Sequence, residues 1–217
     1  SSLATLVRRL GEWPADVLFR VSSLEPMDCS EEIIEMVASS ERIAPHFHLP
    51  LQHGSDDMLR AMRRPYTVTY YRRLIDRIRT VLPHASVGSD IIVGFPGETS
   101  AHFSEMRSVL EQLPLTHLHV FPYSDRPGTA ASQLTRKVDG SEVRERGRVT
   151  RAIGAQMSHR FRESQVGRTV RGLSVDDGRS LVTGNYLKLR LDQQQPRNQW
   201  VSVRVEPAMQ ATVVDVL

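Results

Sequence analysis

The sequence predicts an α/β unit built on a parallel sheet, followed by a small antiparallel β-barrel. Three observations carry that reading. Short apolar strands alternate with amphipathic helices over the first 125 of 217 residues. The strands start near residues 16, 46, 87 and 117, and spacings of 30, 41 and 30 residues suit βα units. The last fifty or so residues then change to brief alternating segments broken by turn residues.

The elements follow in order. Asp16–Val21 reads as a strand, and Glu31–Ser39 as a helix with Ile33, Ile34, Met36 and Val37 at helical spacing. His46–Leu51 is the second strand. Ser55–Arg64 and Thr69–Leu82 are helical stretches, the latter with Tyr70, Tyr71, Leu74, Ile75, Ile78 and Val81 in register. Ser89–Val93 is the third strand. A helix from about Ser100 to Leu113 leads to the fourth, His117–Phe121. Alternation of this kind implies a parallel sheet with right-handed crossovers. A closed (β/α) barrel takes eight units, so four strands amount to half a TIM-like barrel or a small open sheet.

Asp139, followed three residues later by Glu142, starts a helix expected to run from Gly140 to about Ser164. Beyond it, Thr169–Val175, Ser180–Thr183, Tyr186–Leu191, Trp200–Val205 and Ala211–Val216 read as five strands of a small antiparallel barrel. The expected organisation is residues 1–135 as the α/β part, 136–164 as a basic helical linker and 165–217 as the barrel.

Charge is unevenly spread. The chain has 28 Lys plus Arg and 25 Asp plus Glu, a net charge of +3, and only Lys137 and Lys188 are lysines. Residues 136–171 hold ten basic and four acidic side chains, so that segment is +6 and the remainder −3. Arg144, Arg148 and Arg151 lie on this helix, and Tyr186 and Trp200 on the barrel; together they offer phosphate contacts and stacking faces for nucleic acid. A solvated helix face paired to Glu142 and Glu145 is the competing reading. No apolar run approaches the ~20 residues that span a bilayer, so no membrane partner is expected.

Polar residues collect where strands end: Ser22, Ser23 and Glu25; Gln52, His53, Gly54 and Ser55; Gly94 to Thr99; and Tyr123 to Gly128. In a parallel α/β fold these loops open on one face, where ligands bind. In Gly94-Phe-Pro-Gly-Glu98 the glycines allow close ligand approach, and Glu98 is a candidate acceptor for a hydroxyl or amine. His46/His48 and His117/His119 have same-face strand spacing suited to a metal. No Asp or Cys at ligand spacing completes either pair, so we read them as hydrogen-bonded histidines, and no metal site is expected. The single cysteine, Cys29, excludes an intramolecular disulfide and an all-cysteine metal site. It has no His partner that would mark it as a nucleophile.

Leu49-Pro-Leu-Gln-His-Gly-Ser-Asp56, Met62-Arg-Arg-Pro-Tyr-Thr67, Asp90-Ile-Ile-Val-Gly-Phe-Pro-Gly-Glu-Thr99 and Pro122-Tyr-Ser-Asp-Arg-Pro-Gly-Thr129 occur in that order. In them the sequence resembles the radical SAM methylthiotransferases, and Gln165–Leu217 resembles the small RNA-binding TRAM barrel that ends these enzymes. His119–Ser124 and Gly184–Lys188 look most like the branch acting on threonylcarbamoyladenosine beside the tRNA anticodon. The isopentenyladenosine branch comes second and the ribosomal-protein branch third.

The resemblance implies a partial radical SAM barrel, tRNA as partner, a cytoplasmic setting, and S-adenosylmethionine with two 4Fe–4S clusters as cofactors of the parent enzyme. It implies S-adenosylmethionine contacts around Gln52, Ser55, Gly94, Gly97 and Glu98, with Glu25, Arg64 and Asp90 as further candidates. Arg144, Arg148, Arg151, Tyr186 and Lys188 are the RNA candidates.

The family's members carry three cysteines in an N-terminal domain and a CxxxCxxC motif at the barrel start, and Cys29 matches none of these. The chain therefore resembles the C-terminal half of such an enzyme. It is expected to hold no catalytic residue of its own, to retain no cluster, to be inactive alone, and to be prone to dimerise through open sheet edges. A non-catalytic RNA-binding module is the alternative.

Overall fold

The structure, a computed structural model, describes residues 2–216. Among the described residues, six α-helices and eight β-strands form two packed bodies. The first holds α1 (Leu3–Gly11), α2 (Glu31–Ser39), β1 (His46–His48), α3 (Asp56–Ala61), α4 (Val68–Val81), β2 (Ser86–Val93), α5 (Ser100–Gln112) and β3 (His117–Pro122). The three strands are parallel, in the order β1-β2-β3. Side chains alternate across a strand. One face of the sheet therefore presents Phe47, Val87, Ser89, Ile91, Val93, Leu118 and Val120 to the helices, where Phe47, Val87, Ile91 and Val93 are buried in the main core. The opposite face carries His46, His48, Gly88, Asp90, His117, His119 and Phe121.

Helix starts follow local chemistry. Ser30, Thr67 and Thr99 accept from the backbone N–H three residues on, each satisfying one of the donors a helix leaves free at its start. Helix α1 has no counterpart among the sequence expectations. Ser2 caps it, Ala4 and Val7 are buried, and Arg8 pairs with Glu32 of α2. Its apolar residues at 3, 6, 7 and 10 behind a serine were the available signal.

The strand expected at Asp16–Val21 does not form. Among the described residues, the chain here pairs at isolated parallel bridges, Phe19 to Ile43 within the segment and Ser23 to His48 just beyond it. The facing stretch contains Pro45, which has no N–H to donate, and the pairing offset changes by one residue between the two bridges. A continuous ladder is thereby blocked, while Phe19 and Val21 still pack on the core. The second expected strand is likewise shorter than anticipated, ending at His48 two residues before Pro50. The sheet resumes at one bridge from Gln52 to Ile91.

Helix α6 (Gly140–Gln165) starts at Asp139, whose carboxylate accepts from Ser141 N. Glu142 does not turn back to complete a capping box but pairs with Arg146 at 2.6 Å. The helix is no free connector: Ile153 and Met157 belong to the main core. A Cβ on Gly154 would lie 3.1 Å from Leu118 Cβ, so the glycine lets α6 approach β3 closely.

The second body comprises β4 (Thr169–Val175), β5 (Ser180–Thr183), β6 (Lys188–Leu191), β7 (Trp200–Glu206) and β8 (Gln210–Val216), closed in the order β4-β5-β6-β8-β7. Leu181, Leu187, Leu189, Leu191, Val201, Val203, Val205 and Ala211 fill it. The wholly antiparallel arrangement expected from sequence is corrected at one place, because β6 and β8 pair in parallel. A closed ring with an odd number of strands cannot alternate direction all the way round, so one parallel neighbour is forced.

The two bodies meet through specific polar contacts. Asn185 Nδ2 donates to His84 O at 3.0 Å and to Gln165 Oε1 at 3.1 Å. Arg171 pairs with Asp16 at 2.7 Å and stacks over Trp200 at 4.2 Å.

Candidate active site and nucleic-acid interface

Parallel pairing puts the loops after β1, β2 and β3 at one end of the sheet. The bridge from Ser23 to His48 is also parallel and brings Ser22, Ser23 and Glu25 to the same end. The face anticipated for ligand binding is therefore assembled. Within it, Gln52 has a left-handed backbone (φ 69°) and joins the sheet, donating to Asp90 O while its own carbonyl accepts from Ile92 N, both at 2.9 Å. Ser55 is buried and its hydroxyl has no hydrogen-bond partner. Arg64 donates to Glu25 Oε1 at 3.1 Å, and its buried Nε has no partner. Arg64, Ile92, Phe95 and Leu134 help line a cavity of about 280 Å³ at this end. A larger cavity, of about 550 Å³, lies at the opposite end of the sheet among Pro45, His84, Arg168 and Trp200. The smaller one is the candidate site, because functional groups converge at the carboxyl ends of parallel strands.

The Gly94–Glu98 loop has a role that its sequence does not disclose. Glu98 is buried; its Oε2 accepts from Gly94 N at 2.5 Å, and its Oε1 from Arg146 of α6 at 3.0 Å. Burial pushes this carboxyl upward, against the pull of the Gly94 N–H and the Arg146 guanidinium. Each of its oxygens thus accepts one hydrogen bond from within the fold. Gly94 sits at φ 78°, and a Cβ there would meet Val143 Cγ2 at 2.4 Å, so the glycine makes room for the start of α6. Gly97, at φ 89°, has open space beside its Cα.

His53 is named among the strand-end residues in the sequence reading but is given no role there. It is fully buried, its Nδ1 accepts from Ser55 N at 3.0 Å, and its Nε2 stands 3.9 Å from Glu98 Oε2. Burial, with His102 and Arg146 nearby, pushes it down to about 3, so the ring is neutral with its proton on Nε2. The preceding strand end and the flanking Gly54 were the signal. A Cβ on Gly54 would lie 2.6 Å from Met106 Cα, so α5 rests directly on this loop.

The two His-x-His pairs prove to be joined by a third residue. Asp90 Oδ1 lies 2.9 Å from His48 Nε2 and 3.2 Å from His119 Nδ1. Asp90, on the central strand, completes neither pair but joins one histidine of each, His48 and His119, a relation invisible along the chain. His117 packs flat over Gly88, where a Cβ would sit 2.0 Å from its Nε2.

The nucleic-acid candidates are dispersed. Arg144, Arg148 and Arg151 are exposed on α6, with Arg148 held by Glu145 at 2.6 Å. An exposed pair of this kind contributes little and can be exchanged for a phosphate. Tyr186 takes a left-handed backbone (φ 67°) and is 59% exposed; its ring meets His46 at a 5.3 Å centroid distance, with the Arg20 guanidinium 4.1 Å above it. Lys188 pairs with Asp176 at 2.8 Å and shares a shallow depression with Arg179 and Arg190. Those two arginines were not among the sequence candidates, although the outward alternation Lys188-x-Arg190 along β6 places one of them beside Lys188.

An iron–sulfur cluster with an open iron site takes three thiolates. The chain's single cysteine, Cys29, is 3% exposed, and burial raises its thiol to about 12. The residues present do not fit a cluster.

Residues 7–110 match the Radical SAM superfamily model. The chain is similar to threonylcarbamoyladenosine tRNA methylthiotransferase MtaB of Aquifex aeolicus (strain VF5), with 36% identity over 189 residues, which is 87% of this chain and 46% of that protein. The Thermotoga maritima protein of the same name is 37% identical over 77% of this chain and 39% of its own length. The tRNA-2-methylthio-N(6)-dimethylallyladenosine synthase of Rhodococcus jostii is 37% identical over 76% of this chain and 32% of its own. The chain thus spans less than half the length of these curated relatives.

Two solved structures share the fold. The radical SAM enzyme coproporphyrinogen III oxidase (HemN) of Escherichia coli aligns with a TM-score of 0.58 at 14% identity, over 93% of this chain and 50% of that one. The archaeal Elp3 of Methanocaldococcus infernus aligns with a TM-score of 0.51 at 11% identity, over 94% of this chain and 64% of that one. Residues 7–110 of the chain thus carry a match to the Radical SAM superfamily, and most of the chain is similar to part of its tRNA methylthiotransferases.

Proposed function

We propose that this chain supplies the later strands of a radical SAM barrel, together with a TRAM-like RNA-binding barrel, to a tRNA methylthiotransferase acting on threonylcarbamoyladenosine beside the anticodon. The observation that carries this reading is the 36% identity over 87% of the chain to a protein of that name. In that enzyme S-adenosylmethionine and iron–sulfur clusters would supply the radical and the sulfur. This chain's part is binding and orientation. Gln52, Ser55, Gly94 and Gly97 edge the ligand-binding end, with Asp90 and the Glu25–Arg64 pair beside them. Arg64 lines the cavity, and its guanidinium is a donor for a polar ligand edge. Glu98 acts here as a positioning residue, through Gly94. The thiolates for both clusters would come from outside these residues, so the chain alone is inactive.

The arginine stripe on α6 also supports a second reading, in which the chain binds RNA without any chemistry. One pair of experiments separates the two. Equilibrium dialysis with labelled S-adenosylmethionine reports the ligand site, where Arg64→Ala should weaken binding if the cavity is used. Fluorescence anisotropy with a tRNA anticodon stem-loop reports the RNA face. Affinity should fall steeply with salt, and Arg148→Glu with Arg151→Glu should weaken it more than tenfold. S-adenosylmethionine binding that is absent or indifferent to Arg64→Ala, with tRNA binding intact, selects the second reading. Anaerobic iron–sulfide reconstitution that yields a cluster and cleaves S-adenosylmethionine would overturn the expectation that the isolated chain is inactive.

A further inference from the structure

The face of the sheet turned away from the helices carries a grouping of which the proposed function uses only Asp90, as a neighbour of the ligand-binding end. Three neighbouring parallel strands each place one ligand-type side chain at mid-height: His48 from β1, Asp90 from β2 and His119 from β3. The register makes this happen. His48 lies opposite Gly88, two residues before Asp90, and Asp90 lies opposite His119, so the i and i+2 positions of three strands converge on one side. His48 Nε2 is 2.9 Å and His119 Nδ1 is 3.2 Å from the same oxygen, Asp90 Oδ1. All three donor atoms lie within 4.8 Å of one another.

We propose that His48, Asp90 and His119 form a binding site for one divalent first-row transition ion of the zinc and cobalt class, held by two imidazoles and one carboxylate. Cis ligands about 2.1 Å from an ion are themselves about 3.0–3.4 Å apart. The 3.2 Å separation lies in this range and the 2.9 Å one just below it, and a small turn of the imidazole rings about their broad χ2 torsions adjusts these and closes the third. Two nitrogens and one oxygen form a borderline donor set, which suits zinc, cobalt or ferrous ions better than calcium or magnesium.

Access is graded. The His48 side chain is 11% exposed and Asp90 23%, giving a fixed floor, while His119 at 57% leaves the outer side open to an ion and its water ligands. His117 is excluded as a fourth ligand: its Nδ1 is taken by Thr116 at 3.0 Å, and its Nε2 faces Gly88. The site is therefore a three-ligand one with open positions, of the kind that admits an exogenous ligand. This inference is independent of the methylthiotransferase reading.

The test uses the full chain, stripped with a chelator and dialysed, near neutral pH. Titration with Co²⁺ should show visible ligand-field bands saturating at one ion per chain, and Zn²⁺ should bleach them. His119→Ala and Asp90→Asn should each weaken Co²⁺ binding by more than about tenfold. His159→Ala, which removes an exposed histidine paired with Glu163 on α6, should leave it unchanged. His119 is outside the core, so its replacement keeps the fold; an unchanged far-ultraviolet spectrum and melting temperature verify this, and His119→Gln serves as a second variant. Failure of the wild-type chain to take up Co²⁺, or binding that survives both His119→Ala and Asp90→Asn, would show that the three side chains are only a hydrogen-bonded group and would overturn the proposal.

Discussion

Arg146→Ala is the substitution that tests whether the Gly94–Glu98 loop is a clasp between the sheet and α6. Arg146 is 6% exposed and Glu98 4%. The guanidinium donates to Glu98 Oε1 at 3.0 Å, to Glu98 O at 3.1 Å and to Glu142 Oε2 at 2.6 Å. Two unit charges about 3 Å apart attract by roughly 5 kcal/mol at an effective dielectric of about 20. Their desolvation offsets much of that in the intact pair. Removing one partner leaves the other buried and uncompensated, which costs about 3–5 kcal/mol.

For a chain of this size that is a fall of roughly 2 M in the urea midpoint. Two further signatures distinguish the clasp from mere lost packing. Without Arg146 the Glu98 carboxyl rises further, so the penalty is fullest above that raised value and shrinks as pH falls and the carboxyl takes up a proton. The double variant Glu98→Gln with Arg146→Met removes both charges and should recover most of the loss. Urea unfolding of the three proteins (the unsubstituted chain, Arg146→Ala and the double variant) at neutral and acid pH gives the answer. A loss below about 1 kcal/mol for Arg146→Ala, or a double variant no better than the single, would refute the reasoning.

Other outcomes follow from the same structure. His53 is neutral in the fold at about 3 and titrates near 6.5 when unfolded, so its contribution is present above pH 6.5 and is lost progressively as pH falls toward 3. At pH near 5 this amounts to about 2 kcal/mol. His53→Gln should flatten the acid limb of a melting-temperature profile, and an unchanged slope would contradict the burial argument. Asn185→Ala removes the donor to His84 O and Gln165 Oε1 and should cost about 1–3 kcal/mol. Faster limited proteolysis between α6 and β4 would report loosening of the two bodies; unchanged proteolysis would mean that the Arg171–Asp16 pair suffices alone.

Much of the architecture was legible because its signals are local. Helix α4 repeats apolar residues at helical spacing behind Thr67, and α6 begins at an aspartate, so both could be placed to within a residue or two. The barrel strands were legible from period-two alternation between turn residues. Asp16–Val21 has an equally apolar pattern and still fails as a strand, because the obstacle, Pro45, sits on its neighbour. The parallel β6–β8 pair was hidden for a similar reason: it follows from closing an odd number of strands.

At the site, the motif residues of the strand-end loops were found, but their roles were not. Glu98, a candidate ligand acceptor from sequence, also meets Arg146 from 48 residues away. Tyr186, a candidate stacking face, is 59% exposed and also touches His46 and Arg20.

The sequence by itself determined the α/β-then-barrel order, the family motifs, the basic segment and the single thiol, because each is written in residue type and short-range spacing. Only the tertiary structure decided which polar groups are consumed by the fold and which are joined into new ones. Glu98 is taken by an arginine from α6, and His48 and His119 are drawn together by Asp90. Both depend on strand register and helix packing, which set distances between residues far apart in the chain.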